Sequence, residues 1–209
     1  MPSRLPRTRK SSSSLSAPVR RRSNTKINPA NKSWRIVLQS PAQTHRLGWC
    51  LGTLLQGGEV LALFGELGTG KTSLTKGIAA GMNVDPTAVS SPTFALIHEY
   101  PGRLRLIHTD LYRLIPAQLD DIGLSDYLDD HTIIAIEWAD RWGKDLPSDR
   151  LEVHLSHRTT TTRRAIFRAN GPIACRLLTA LRSRLPKSRP TREPGKTRVQ
   201  LPRPRRTPH

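Results

Sequence analysis

Two stretches of this chain are apolar at every position: Val60-Leu61-Ala62-Leu63-Phe64 and Ile133-Ile134-Ala135-Ile136. Runs of that length without polar alternation predict strands covered on both faces, in the middle of a sheet. Residues 34–38 give a shorter strand pattern, and residues 94–100 and 104–108 read as two strands joined at Pro101-Gly102. A second hairpin is predicted from 151–155 and 164–168, which alternate on either side of Thr159-Thr160-Thr161-Thr162. Helical patterns lie between these strands. Ser40-Pro41-Ala42-Gln43 combines a capping serine, proline at the first helical position and glutamine three residues after the cap. A helix should follow to about Leu55 and stop at Gly57-Gly58. Further helices are predicted over 73–81, 116–128 and 172–185, and no repeat of fixed period is present. The mixture predicts an α/β fold, a three-layer sandwich with a mixed central sheet.

The first apolar strand runs straight into Gly65-Glu66-Leu67-Gly68-Thr69-Gly70-Lys71-Thr72, a G-x-x-x-x-G-K-T sequence, and then into a helix opening at Ser73. The glycines let the backbone turn through conformations that side chains exclude, so successive N–H groups face one anion. Lys71 supplies a cation to the outer phosphates, the Thr72 hydroxyl can ligate magnesium, and the helix N-terminus adds partial positive charge at the same point. Strand, loop and helix in this order predict a P-loop nucleoside triphosphatase fold that binds a nucleoside triphosphate with magnesium.

Ligands of such sheets lie at the carboxyl ends of the strands. Two more strands end there in acids, 104–108 at Thr109-Asp110 and the second apolar run at Glu137. Magnesium on phosphates needs an anionic oxygen nearby, so either Asp110 or Glu137 holds the metal and the other orients the attacking water. Without a nucleotide, Asp110 would serve as a helix cap and Glu137 as an exposed strand-end carboxylate. Trp138 reads either as a core anchor or as a wall of the nucleotide pocket. Ser91-Pro92-Thr93 reads either as a rigid turn or as a switch that brings Thr93 to the γ-phosphate. His98 and His108 lack a third ligand at metal spacing and read as ordinary strand histidines. Cys50 and Cys175 form no C-x-x-C and no disulfide framework, which predicts buried thiols.

A net charge of +18 over 209 residues suggests nucleic acid until it is located. Residues 1–33 hold nine Lys/Arg and no acid, residues 182–209 hold ten against one acid, and the middle is balanced. The expected organisation is a disordered Ser/Arg-rich extension over 1–33, a domain over 34–185 and a disordered Arg/Pro-rich tail over 186–209. Such tails would contact tRNA weakly and with strong salt dependence. Nothing approaches a membrane span or a secretory signal. A cytoplasmic protein is expected, or an organellar one if residues 1–33 are a transit peptide.

The P-loop, Ser91-Pro92-Thr93-Phe94, His108-Thr109-Asp110-Leu111-Tyr112-Arg113-Leu114 and Ile136-Glu137-Trp138-Ala139-Asp140 together resemble the TsaE family, the P-loop ATPases of tRNA threonylcarbamoyladenosine synthesis. The resemblance covers roughly 34–157 and extends to neither tail. It implies ATP and Mg2+ as cofactors and TsaD and TsaB homologues as partners. The implied role is to support carbamoyl transfer to adenosine 37 of tRNAs reading codons that begin with A, without performing the transfer. On this match Gly65 to Ser73 bind nucleotide, Thr93 belongs to a switch-like segment, Trp138 lies beside the nucleotide, and Asp110 and Glu137 act with Lys71 in catalysis or on the metal. The alternative is a small-molecule kinase, for which Arg158, Arg163 and Arg164 are the only candidates for an arginine-bearing lid. They fit a hairpin better.

Overall fold

The computed structural model describes residues 32–114, 118 and 122–185. The elements run β1 (Ser33–Leu38), α1 (Pro41–Gly52), β2 (Val60–Phe64), α2 (Lys71–Gly81), β3 (Ile97–Tyr100), β4 (Arg105–Asp110), β5 (Thr132–Glu137), β6 (Arg150–His157), β7 (Arg163–Asn170) and α3 (Pro172–Arg184). They form one mixed seven-stranded sheet ordered β1-β7-β6-β2-β5-β4-β3. β2 is parallel to both β5 and β6, and β5 is parallel to β4. The antiparallel pairs are β1–β7, β6–β7 and β3–β4. The α/β fold with a mixed central sheet is as the residue pattern predicts, and both wholly apolar strands are buried between neighbours on each side.

The main core lies between one sheet face and the three helices. Leu61, Leu63, Leu106, Ile133, Val153 and Phe167 meet Leu51 of α1, Leu74 and Ile78 of α2, and Leu178 and Leu181 of α3. The other face is filled over β2, β5 and β4 by Leu111, Leu114, Leu124, Trp142 and Leu146, from the connections after β4 and β5. Helices α1 and α2 approach very closely. A Cβ added at Gly48 would collide with the carbonyl of Leu74, and one at Gly77 with the carbonyl of His45. This seam clamps the P-loop helix against its neighbour.

Three predicted elements differ in extent. Helix α1 ends at Gly52 rather than near Leu55, because Thr53 closes it: its N–H donates to the carbonyls of Leu51 and Trp49 and its hydroxyl to that of Cys50. Strand β3 starts at Ile97, not 94, since Leu96 takes a left-handed φ of 67° and bends the chain into the hairpin. Of the helix predicted over 116–128, residues 116, 117 and 119–121 lie outside the described residues. Within the described remainder, Leu124–Tyr127 forms a 3-10 turn entered through Gly123 at φ 61°. The tails expected over 1–33 and 186–209 lie outside the described residues except for 32 and 33. No helix among the described residues is long and apolar enough to cross a membrane.

Candidate nucleotide site

At the carboxyl end of β2 the chain turns through Gly65 (φ 138°) and Gly68 (φ 75°) and enters α2 from Gly70 (φ 104°). Gly70 is the N-cap, and no side chain caps the helix, so its first turn is left without a local acceptor. A side chain at Gly70 would be strained at that φ.

Lys71 is buried at 4 % exposure. Its Nζ donates to the carbonyls of Gly65 (2.6 Å) and Glu66 (3.1 Å) and lies 3.9 Å from the centre of the Trp138 ring. Burial pushes its pKa below the ordinary lysine value, against the opposing pull of Glu137, Asp110, Asp140 and Glu66. None of these carboxylates forms an ion pair with it among the described residues. The ammonium is thus desolvated and lacks an anion at contact distance.

The acids arrive by strand alternation. On β4, Leu106, His108 and Asp110 point to the α2 face, as do Ile133, Ala135 and Glu137 on β5, and the register sets Asp110 beside Glu137. Glu137 is buried at 2 % exposure and not an exposed strand-end carboxylate. Its Oε2 accepts from the Thr72 hydroxyl (3.0 Å) and its Oε1 meets Nε2 of the fully buried His108 (2.9 Å). Asp110 faces the other segment: its Oδ2 accepts from the hydroxyls of Ser91 (2.5 Å) and Thr93 (2.6 Å), and its Oδ1 from the N–H of Tyr112 (3.0 Å). Asp110 therefore does make the local turn contact open to it as a capping residue, and it also anchors the Ser91-Pro92-Thr93 segment. Behind that segment, the Leu96 carbonyl accepts from Asp110 N (3.3 Å) and Thr109 Oγ1 (2.7 Å).

Trp138 sits at φ 56°, a conformation uncommon for a bulky residue, and its ring meets Tyr112 at 4.8 Å. It lines a cleft of about 390 Å³ with Leu67, Gly68, Gly70, Lys71, Thr72, Ser73, Ser91, Thr93, Asp110, Tyr112 and Glu137. The structure thereby brings the P-loop, Thr93, Asp110, Glu137 and Trp138 to one place. It also contains two residues that the motif reading did not assign to the site. His108, read as an ordinary strand histidine, holds Glu137; its position two before Asp110 on a strand was the available signal. Ser91 shares Asp110 with Thr93. His98, by contrast, reaches Tyr100 and not the cleft. Arg163 belongs to the β6–β7 hairpin, bound to the carbonyls of Thr159, Thr160 and Thr162, with one contact of 3.4 Å to the Gly68 carbonyl. No group of three metal-ligating His, Cys, Asp or Glu occurs among the described residues. Both cysteines are buried free thiols.

Comparison with known proteins bears on the same segments. A family model described as threonylcarbamoyl adenosine biosynthesis protein TsaE matches residues 38–166. The chain is 36 % identical over 139 residues to the tRNA threonylcarbamoyladenosine biosynthesis protein TsaE of Bacillus subtilis, covering 66 % of this chain and 85 % of that one. It is 40 % identical to the protein of the same name from a Nostoc species, covering 63 % and 83 %. The crystal structure of Bacillus subtilis YdiB superposes with a TM-score of 0.61 at 29 % identity, covering 73 % of this chain and 95 % of that one. The matched span contains the P-loop, Thr93, His108, Asp110 and Glu137, and the chain belongs to the TsaE family of threonylcarbamoyl adenosine biosynthesis proteins.

Proposed function

We propose that this protein binds Mg-ATP in the cleft and hydrolyses it to ADP and phosphate. The hydrolysis supports repeated threonylcarbamoylation of adenosine 37, in tRNAs reading codons that begin with A, by TsaD and TsaB homologues. The observation that carries the reading is Lys71: a buried ammonium at an uncapped helix N-terminus, whose hydrogen bonds among the described residues go to two backbone carbonyls, with its pKa lowered by burial. Triphosphate oxygens are the complement such a site lacks.

The acids divide the remaining work. Thr72 and Glu137, already joined by a hydrogen bond, would hold magnesium, which neutralises charge on the phosphates. Asp110, tied to Ser91 and Thr93, would orient the attacking water and take its proton once displacement of both hydroxyls freed its Oδ2 for that contact. Trp138 forms the wall beside Lys71. A kinase reading is less well supported. Arg163 is committed to the hairpin turn, and Arg164 sits on the sheet itself.

The test is multiple-turnover modification with purified TsaB and TsaD homologues, tRNA and threonylcarbamoyl-adenylate. Product should exceed one equivalent of enzyme only when this protein and ATP are present, and Lys71→Ala should remove the excess. Equal turnover with Lys71→Ala would overturn the proposal.

A further inference from the structure

Among the described residues, the second face of the sheet is covered over β2, β5 and β4 only. Over β1, β7 and β6 no described element lies on that side, because all three helices pack against the opposite face. Cross-strand register shows what stands there. Arg35, Ile166, His154 and Phe64 form one row across four adjacent strands. The rows on either side carry Arg168 beside Glu152 and Arg164 between Val37 and Ser156.

Arg35, Arg164 and Arg168 are exposed, and their guanidinium groups make no hydrogen bond or ion pair with other described residues. Glu152, the only acid on these three strands, is already engaged. It accepts from Arg150 (2.7 Å) and Asn170 (2.9 Å) and meets His154 Nε2 (3.1 Å). It neutralises Arg150 and leaves the other three guanidinium groups uncompensated. With a strand rise of about 3.4 Å per residue, Arg164 and Arg168 stand roughly 14 Å apart along β7, with Arg35 beside the midpoint. The row that starts at Arg35 ends on a ring pair, His154 stacked on Phe64 at 4.4 Å and 9°.

We propose that the β1-β7-β6 face binds RNA, with Arg35, Arg164 and Arg168 on backbone phosphates and the His154–Phe64 ring pair beside a base. Unpaired guanidinium groups suit phosphates, and rings on an open sheet suit the faces of bases. An acidic protein surface would match the charge but make no use of the rings. The apolar side chains standing on this face of β1, β7 and β6 are Val37 and Ile166, both half-buried and fewer than the clustered anchors of a protein interface. Charge continuity points the same way: β1 is the edge strand, and the nine Lys/Arg of residues 1–33 join the domain through it. The proposal requires no nucleotide hydrolysis and stands apart from the cleft chemistry.

The experiment uses the full chain, a fluorescent tRNA transcript and anisotropy across a salt series without nucleotide. Combining Arg35→Gln, Arg164→Gln and Arg168→Gln should weaken binding at least tenfold at low salt. It should also flatten the log–log salt slope by about 2–3, close to one per lost phosphate contact. A control of equal charge change, Arg46→Gln, Lys144→Gln and Arg176→Gln on other exposed surfaces, should bind much as wild type does. His154→Ala should weaken binding several-fold without changing the slope. If the triple variant fails to fold, Arg164→Gln and Arg168→Gln singly should each flatten the slope by about 1. Unchanged binding by a folded triple variant, or equal weakening in the control, overturns the proposal. Competition by poly-glutamate as effective as by poly-uridylate at equal charge also overturns it, because the face then reads charge alone.

Discussion

Lys71→Met separates binding from folding at the position where the account commits most. Lys71 is 4 % exposed and its ammonium is held by two carbonyls, so its loss leaves the Gly65 oxygen without that donor, while the Glu66 oxygen keeps the N–H and hydroxyl of Thr69. An unsatisfied buried acceptor costs about 1–3 kcal/mol. Against this, methionine removes a charge whose burial depresses the lysine pKa, and it keeps an apolar stem of similar length, though not the Nζ contact with the Trp138 ring. The two effects oppose, so the net change without nucleotide should stay within about 2 kcal/mol, a melting shift of at most about 8 °C for a domain of this size. Nucleotide binding has no such compensation. Losing two charge-assisted contacts at about 1.5–3 kcal/mol each should weaken ATP by at least a hundredfold.

The pH dependence has a definite sign. Because the folded pKa lies below the unfolded 10.5, the folded protein sheds this proton first. The burden of the buried charge is full below the folded pKa and fades as pH rises toward the unfolded value. Wild type should therefore gain stability relative to Lys71→Met as pH rises through that interval. Calorimetric titration with Mg-ATP and melting curves at neutral and alkaline pH measure both effects. Unchanged ATP affinity, or a loss of stability above about 4 kcal/mol, would refute the reasoning by making Lys71 a core residue.

Glu137→Gln and Asp110→Asn should each lower the rate of phosphate release at least about a hundredfold, since each removes a carboxylate from the reacting region while preserving shape; near-normal rates with a collapsed melting temperature would assign both to folding. His108→Ala removes one of two groups holding the buried Glu137 and should lower both melting temperature and phosphate release, whereas His108→Gln, which can still reach the carboxylate, should recover part of the rate. Recovery of stability without any recovery of rate would confine His108 to folding. Gly77→Ala should destabilise by about 1–3 kcal/mol through the α1–α2 seam, and a neutral melting shift would contradict the close approach there.

The candidate nucleotide cleft was legible in sequence because its parts are local. A glycine loop between a strand and a helix carries its own geometry, and Glu137 and Asp110 are marked by their position at the ends of apolar or alternating strands. What was not legible depends on tertiary contacts. Pairing of His108 with Glu137 needs the parallel register of β4 and β5, which no residue pattern states. The stop of α1 at Gly52 is set by Thr53, a weaker signal than the Gly57-Gly58 pair that drew the boundary onward. The glycine seam had a sequence trace in Gly48 with Gly52 and Gly77 with Gly81, four apart on each helix, but only the facing arrangement gives it meaning. The open arginine face was hidden for the same reason: Arg35, Arg164 and Arg168 are scattered along the chain, and the balanced charge of the middle region masked their convergence.

The central claim is that this cleft turns over Mg-ATP with water as the acceptor. Its most direct test is steady-state phosphate release by the purified full chain, with TsaB and TsaD homologues present and no small-molecule acceptor. Wild type should release phosphate and ADP in equal amounts only with magnesium, and Glu137→Gln should bind ATP yet release phosphate at least about a hundredfold more slowly. Absence of release from folded, ATP-bound wild type under these conditions, or release unaffected by Glu137→Gln, would contradict the account.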